Sequence, residues 1–244
     1  MGRVTDVGTG ARLLFASSAV GLLPLMRRVF ALRDGAIIGF VPNASFAEPY
    51  GFANRMAAPW WRAHGLKVRC VDLNGRRARV AAMLRGCDLL YLCGGNSFHL
   101  MRCLRAAGVV PLIRDLVASG VPYVGESAGA VVAAPDIDYI APMDVRREPA
   151  ATLHAARRAS SPTRGLTLTD VHVVPHVGGR MLGAAARDIL RLHAGEPSYV
   201  PLRNDEALVV EDGRMCRVGT GSRIARLRRW RDIGGIRRRG GAVR

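Results

Sequence analysis

The pentapeptide Gly125-Glu126-Ser127-Ala128-Gly129 stands between an apolar β-type run and a small-residue helix-type run, the setting of a G-x-S-x-G elbow. A strained strand-to-helix turn of this kind exposes the serine hydroxyl at its apex and leaves room only for small neighbours. The Ala128 amide and the positive end of the following helix then face whatever charge develops on a bound carbonyl. A capping serine in an ordinary βα turn is the other reading of the same residues.

A nucleophilic serine needs a base and an oxyanion site. Gly94-Gly95-Asn96 closes a second apolar run, LLYLC, and a glycine turn there lets backbone N–H groups approach a substrate oxygen. Asn96 and Ser97 suit the N-cap of the following helix equally well. Among His64, His99, His154, His172, His176 and His193, His176 stands out because it ends the apolar run VHVVPH and precedes the loop VGGR. His172, four residues earlier, raises a His-x3-His metal pair, but no third ligand stands at a suggestive spacing and no metal is expected. A carboxylate that orients the imidazole completes a triad. Asp136, Asp138 and Asp144 lie between Ser127 and His176 in the order Ser, Asp, His, and spacing does not choose among them. Asp170 begins the run leading to His176 and belongs at its far end.

Short apolar runs alternate with longer helical patterns, which predicts a parallel sheet covered on both faces. Strands are expected at 12–17, 36–41, 67–71, 88–93 and 122–125, with helices at about 20–32, 50–64, 76–84, 98–107 and 110–118. Residues 135–162 lack periodicity and read as a long surface excursion. A strand at 171–174, a helix at 180–193 and three short strands follow, the last two joined by a hairpin at Asp212-Gly213. Residues 1–221 read as one doubly wound α/β domain. Residues 222–244 read as a basic tail.

The formal net charge is +17, and all but one of the 36 basic residues are Arg, Lys67 being the exception. Nine Arg against one Asp in residues 222–244 place +8 of that charge in the tail, leaving +9 over the other 221 residues. The tail is therefore the candidate contact for nucleic acid or acidic lipid, with Trp230 available to stack, and a solvated extension is the plainer reading. Five cysteines without a Cys-x-x-Cys pair suggest neither a disulfide framework nor a thiolate zinc site, which fits a reducing cytoplasmic setting. The apolar stretch 13–26 is preceded by Asp6, closed by Arg27 and Arg28, and lacks a small-x-small cleavage pattern, so neither a signal peptide nor a membrane span is expected.

Three stretches taken together, YLCGGNSFHLMRCLR, GVPYVGESAGAVVAAPDIDYIAPMD and GLTLTDVHVVPH, resemble the peptidase E (α-aspartyl dipeptidase) family of serine peptidases over roughly residues 12–218. The resemblance implies a three-layer, flavodoxin-like fold similar to class I glutamine amidotransferase domains, with Ser127 as nucleophile and His176 as general base. It further implies oxyanion contacts from the Gly94-Gly95-Asn96 turn and the Ala128 amide, and no cofactor. The family's aspartate lies beside a Met-Pro pair, and the order Pro142-Met143-Asp144 here makes Asp144 the first choice and Asp138 the second. Glu126 stands where the bacterial aspartyl dipeptidases carry Trp and is a candidate for binding a substrate amine. The implied partner is a small peptide, with Arg146, Arg147 and Arg180 as candidate cations for an aspartyl side chain, and a homodimer is a further candidate assembly. The alternatives are a cyanophycinase-like or other acyl hydrolase, or a binding protein without catalysis that uses its tail on nucleic acid.

Overall fold

The computed structural model describes residues 11–49, 56–144, 163–211 and 213–220. Its centre is a seven-stranded sheet of order β3-β2-β4-β5-β1-β8-β9. The strands are β1 (Arg12–Ala16), β2 (Ile37–Val41), β3 (Lys67–Cys70), β4 (Leu89–Leu92), β5 (Tyr123–Glu126), β8 (Glu206–Glu211) and β9 (Arg214–Gly219). The first five run parallel. β8 is antiparallel to β1, and β9 to β8. β4 and β5 are buried at every residue, as strands covered on both faces must be, whereas the edges β3 and β9 are half-exposed. Each fully buried leucine of β4 contributes roughly 1.5–3 kcal/mol by leaving water.

The helices between these strands are α1 (Leu22–Phe30), α2 (Ala57–Ala63), α3 (Arg77–Arg85), α4 (Ser97–Ala106), α5 (Val110–Ala118), α6 (Ala128–Val131), α7 (Ala141–Asp144) and α8 (Gly183–Leu192). The Trp61 ring of α2 packs edge-on against Phe40 of β2 at 5.8 Å and Tyr91 of β4 at 4.4 Å, so the core reaches up to the Tyr91 hydroxyl. Together the mostly parallel sheet and its helices form the doubly wound α/β fold expected from the alternation of patterns. β8 and β9 pair with Glu211 opposite Arg214 and Gly213 at φ +70°, the connection a two-residue hairpin requires.

Two expectations are corrected. The strand before His176, β6 (His172–Val174), is not in the main sheet but pairs in parallel with β7 (Tyr199–Pro201) in a separate two-stranded sheet. Its run of three residues suffices for that short ladder. The described part of the supposed surface excursion is packed inward, with Ile137, Tyr139, Ile140 and Met143 buried and the Tyr139 hydroxyl donating to Val173 O at 2.7 Å. Its aromatic and aliphatic residues lack helical or strand periodicity because they pack from a 3₁₀ turn, Asp138–Ile140, and a single helical turn, α7. Residues 145–162, including Arg146 and Arg147, and the basic tail 222–244 lie outside the described residues. Among the described residues no helix is long and apolar enough to cross a membrane.

Candidate active site

Ser127 follows the last residue of β5, the central strand, and leads into α6. Its backbone takes φ 47° and ψ −106°, a conformation that non-glycine residues rarely adopt and that throws the side chain above the strand ends. The elbow is pinned by Ser127 N–H donating to Ala16 O of β1 at 2.7 Å. Its glycines have steric causes. A Cβ on Gly125 would lie 2.4 Å from Gly129 O, and one on Gly129 would lie 2.1 Å from Leu92 O, so strand, turn and helix pack closer than any side chain permits.

The Ser127 Oγ is 2.8 Å from Nε2 of His176, although 49 residues separate them. His176 also lies in the left-handed region, at φ +63°, where the chain turns after β6. Its backbone N–H donates to Ser17 Oγ at 3.2 Å, and that hydroxyl donates to Leu202 O at 3.0 Å. Ser17 thus ties the end of β1 to both segments that flank the imidazole, a contribution that a single serine after an apolar run did not announce.

The imidazole's Nδ1 is 2.8 Å from Oδ1 of Asn204, not against a carboxylate from the 136–144 segment. Asp144, expected to orient His176, is buried at the end of α7 and its Oδ2 accepts the Ser97 N–H at 2.7 Å, satisfying a donor at the start of α4. Asp138 is exposed on the 3₁₀ turn. Asp136 faces His172 Nε2 at 3.2 Å, and the His172 ring stacks on Tyr199 with centroids 4.7 Å apart. His172 and His176 therefore serve different neighbourhoods, and among the described residues no group of three or more His, Cys, Asp or Glu converges as metal ligands would.

The glycine turn after β4 also differs from expectation. The Gly94 N–H is turned to Glu126 Oε2 at 3.4 Å and the Asn96 N–H to Ala44 O at 3.0 Å, so neither is directed at a substrate. Asn96 is the N-cap of α4, its Oδ1 accepting the His99 N–H at 2.9 Å. Gly95 takes φ +139°, and a Cβ there is excluded by Ala44 O at 2.1 Å. Ala128 N–H occupies the first position of α6, where no intrahelical acceptor exists.

Glu126 is corrected as well. It is 5% exposed and binds inward: Oε1 accepts the Ala19 N–H at 3.0 Å, and Oε2 accepts the Tyr91 hydroxyl at 2.8 Å besides Gly94. As the last residue of a strand buried on both faces, it has no outlet to solvent, so it braces the loops after β1 and β4 instead of a substrate amine. Burial raises its carboxyl above the ordinary range, and the bonds from Tyr91, Gly94 and Ala19 oppose that rise. A raised folded-state value means this carboxyl's contribution to stability is fully present below the unfolded value and lost as pH rises through the folded one. The stability of the wild type relative to Glu126→Gln is therefore expected to fall as pH rises above the ordinary carboxyl range, as read from denaturation midpoints; a constant difference would contradict the account. Beside the turn, burial pushes the Cys93 thiol up to about 12, which keeps it protonated and removes it as a rival nucleophile.

This geometry agrees with what the chain is similar to. The model of peptidase family S51 matches residues 18–218. The chain belongs to peptidase family S51. Family S51 membership makes it a serine-type peptidase, as the resemblance to peptidase E implied. The uncharacterized peptidase Lmo0363 of Listeria monocytogenes is 29% identical over 201 residues, covering 81% of this chain and 93% of that protein. Peptidase E of Streptomyces coelicolor is 30% identical over 201 residues, 80% of this chain and 76% of its own. A crystal structure of a peptidase E candidate from Listeria monocytogenes EGD-e superposes with a TM-score of 0.74 at 27% identity, covering 86% of this chain and 98% of that one.

Proposed function

We propose that this S51 peptidase hydrolyses short peptides through an acyl-enzyme on Ser127, with His176 as the general base. The observation that carries the reading is the 2.8 Å approach of Ser127 Oγ to His176 Nε2 at a strained elbow. Nε2 takes the hydroxyl proton as the Oγ–carbon bond forms, and the N–H groups of Gly95 and Ala128 hold the tetrahedral oxyanion. The same proton passes from Nε2 to the leaving amine as the C–N bond breaks. Water then attacks the ester, giving one proton to Nε2 and its hydroxyl to the acyl carbon; the proton returns to Oγ as the acid departs.

For substrate, we propose dipeptides with an N-terminal aspartyl residue, on the strength of the peptidase E relationship. Arg180, exposed in the loop that follows His176, is the described cation four residues along the chain from the base. Ser127→Ala is expected to lower hydrolysis of Asp-X dipeptides at least about a thousandfold with an unchanged melting temperature. Full turnover by that variant would remove the mechanism. Equal kcat/KM on Asp-X, Glu-X and Ala-X with the wild type would remove the aspartyl preference alone.

A further inference from the structure

A neutral imidazole carries one N–H and one lone pair. For His176 to accept a proton at Nε2, its own N–H must sit on Nδ1, so the group against Nδ1 decides whether Ser127 has a base at all. That group is the Asn204 side-chain oxygen, at 2.8 Å. The opposite end of the same amide has the wrong polarity: a donor facing Nδ1 would place the proton on Nε2 and leave the Ser127 hydroxyl without an acceptor.

Asn204 is exposed, yet the turn that presents it is fixed. Glu206 N–H donates to Arg203 O at 3.1 Å, Arg203 N–H to Glu206 Oε2 at 2.9 Å, and Thr220 N–H to Asp205 O at 2.8 Å. The turn and the imidazole also share a scaffold. Val177 N–H donates to Leu202 O at 3.0 Å, Leu202 N–H to Val174 O at 2.9 Å, and Ser17 bridges Leu202 and His176. Gly179 lies beside the amide, where a Cβ would stand 3.4 Å from Asn204 Nδ2, so the loop after His176 runs alongside this side chain.

We propose that Asn204 is the positioning residue of the catalytic base: its amide oxygen holds the Nδ1–H tautomer of His176, a neutral group in the place a triad gives to a carboxylate. The inference rests on Ser127 and His176 being nucleophile and base. An amide oxygen fixes tautomer and orientation, as the asparagine of Cys-His-Asn proteases does, but adds no negative charge to stabilise the imidazolium formed during acylation. Asn204 therefore supplies orientation and tautomer to the imidazole without itself adding charge.

The test compares wild type, Asn204→Leu and Asn204→Asp, each as the full chain, by dipeptide hydrolysis and by the rate of fluorophosphonate labelling across pH. Asn204→Leu, of similar size but unable to accept, is expected to lose on the order of a hundredfold in kcat with little change in KM. Asn204→Asp, which can only accept, is expected to match or exceed wild type, with the acidic limb of kcat/KM moved to higher pH by roughly one unit because a carboxylate favours the imidazolium. Asn204→Leu within about threefold of wild type, or an Asp variant as slow as the Leu variant with its limb unmoved, would overturn the positioning role. Failure of the wild type to label at all would instead overturn the reading of Ser127 beneath it.

Discussion

His176→Asn is expected to lower kcat/KM by at least about a thousandfold while changing stability by no more than about 1 kcal/mol. Asparagine is chosen because the residue sits at φ +63°, where Asn is tolerated better than Ala, and because the backbone N–H bond to Ser17 survives the change. What is lost is the ring that spans from Asn204 Oδ1 to Ser127 Oγ, 2.8 Å from each. A shorter amide cannot reach both, and it has no basic nitrogen. Initial rates and thermal melts on the same preparation check the two halves of the expectation. Near-normal turnover by the folded variant would mean that another group takes the serine proton.

The second large effect is structural. Gly129→Ala would drive a Cβ to 2.1 Å from Leu92 O and 2.8 Å from Leu92 C, both backbone atoms of the buried strand β4. Neither can give way by a rotamer change, so α6 must lift off the sheet. The Tyr123 hydroxyl, buried and donating to Gly129 O at 2.7 Å, would lose its acceptor in the process. The expected cost is about 3 kcal/mol or more, accompanied by loss of the elbow geometry that exposes Ser127. Gly195→Ala provides the contrast. Gly195 has φ +89° but nothing within 4 Å of its Cβ position, so only backbone strain remains, about 1 kcal/mol. Chemical denaturation of the two variants side by side measures the difference. Equal midpoints would show that contact with Leu92 does not constrain the turn.

The pattern of the fold was readable because parallel strands buried on both faces announce themselves as apolar runs, as β1, β2, β4 and β5 do, whereas the half-exposed edge β3 mixes charged and apolar residues. Ser127 was readable because its elbow demands small neighbours in a fixed order, and His176 because it closes an apolar run at a turn. The residues that complete the site lack such marks. Asn204 lies in the stretch Leu202-Arg203-Asn204-Asp205-Glu206, where Asn reads as an ordinary turn residue. A search for a carboxylate between serine and histidine passes over it, because chain order says nothing of which turn folds back onto Nδ1. Glu126 misled for a related reason. A charged residue next to a nucleophile suggests contact with substrate, and only the three-dimensional arrangement shows that Ala19, Tyr91 and Gly94 supply donors on the inner side. The same carboxylate turns the Gly94 amide inward, which is why Gly95 and Ala128 are the oxyanion donors proposed above, a choice invisible in a run of two glycines.

The most direct measurement is mass-spectrometric mapping of the adduct formed with a fluorophosphonate, since only an activated serine reacts appreciably with it. The expected result is one phosphonylated peptide, carrying the label on Ser127, formed by wild type and lost in His176→Asn. A folded wild-type protein that takes up no label, or that carries it on a different serine, would contradict the assignment of this hydroxyl and this imidazole as a working pair.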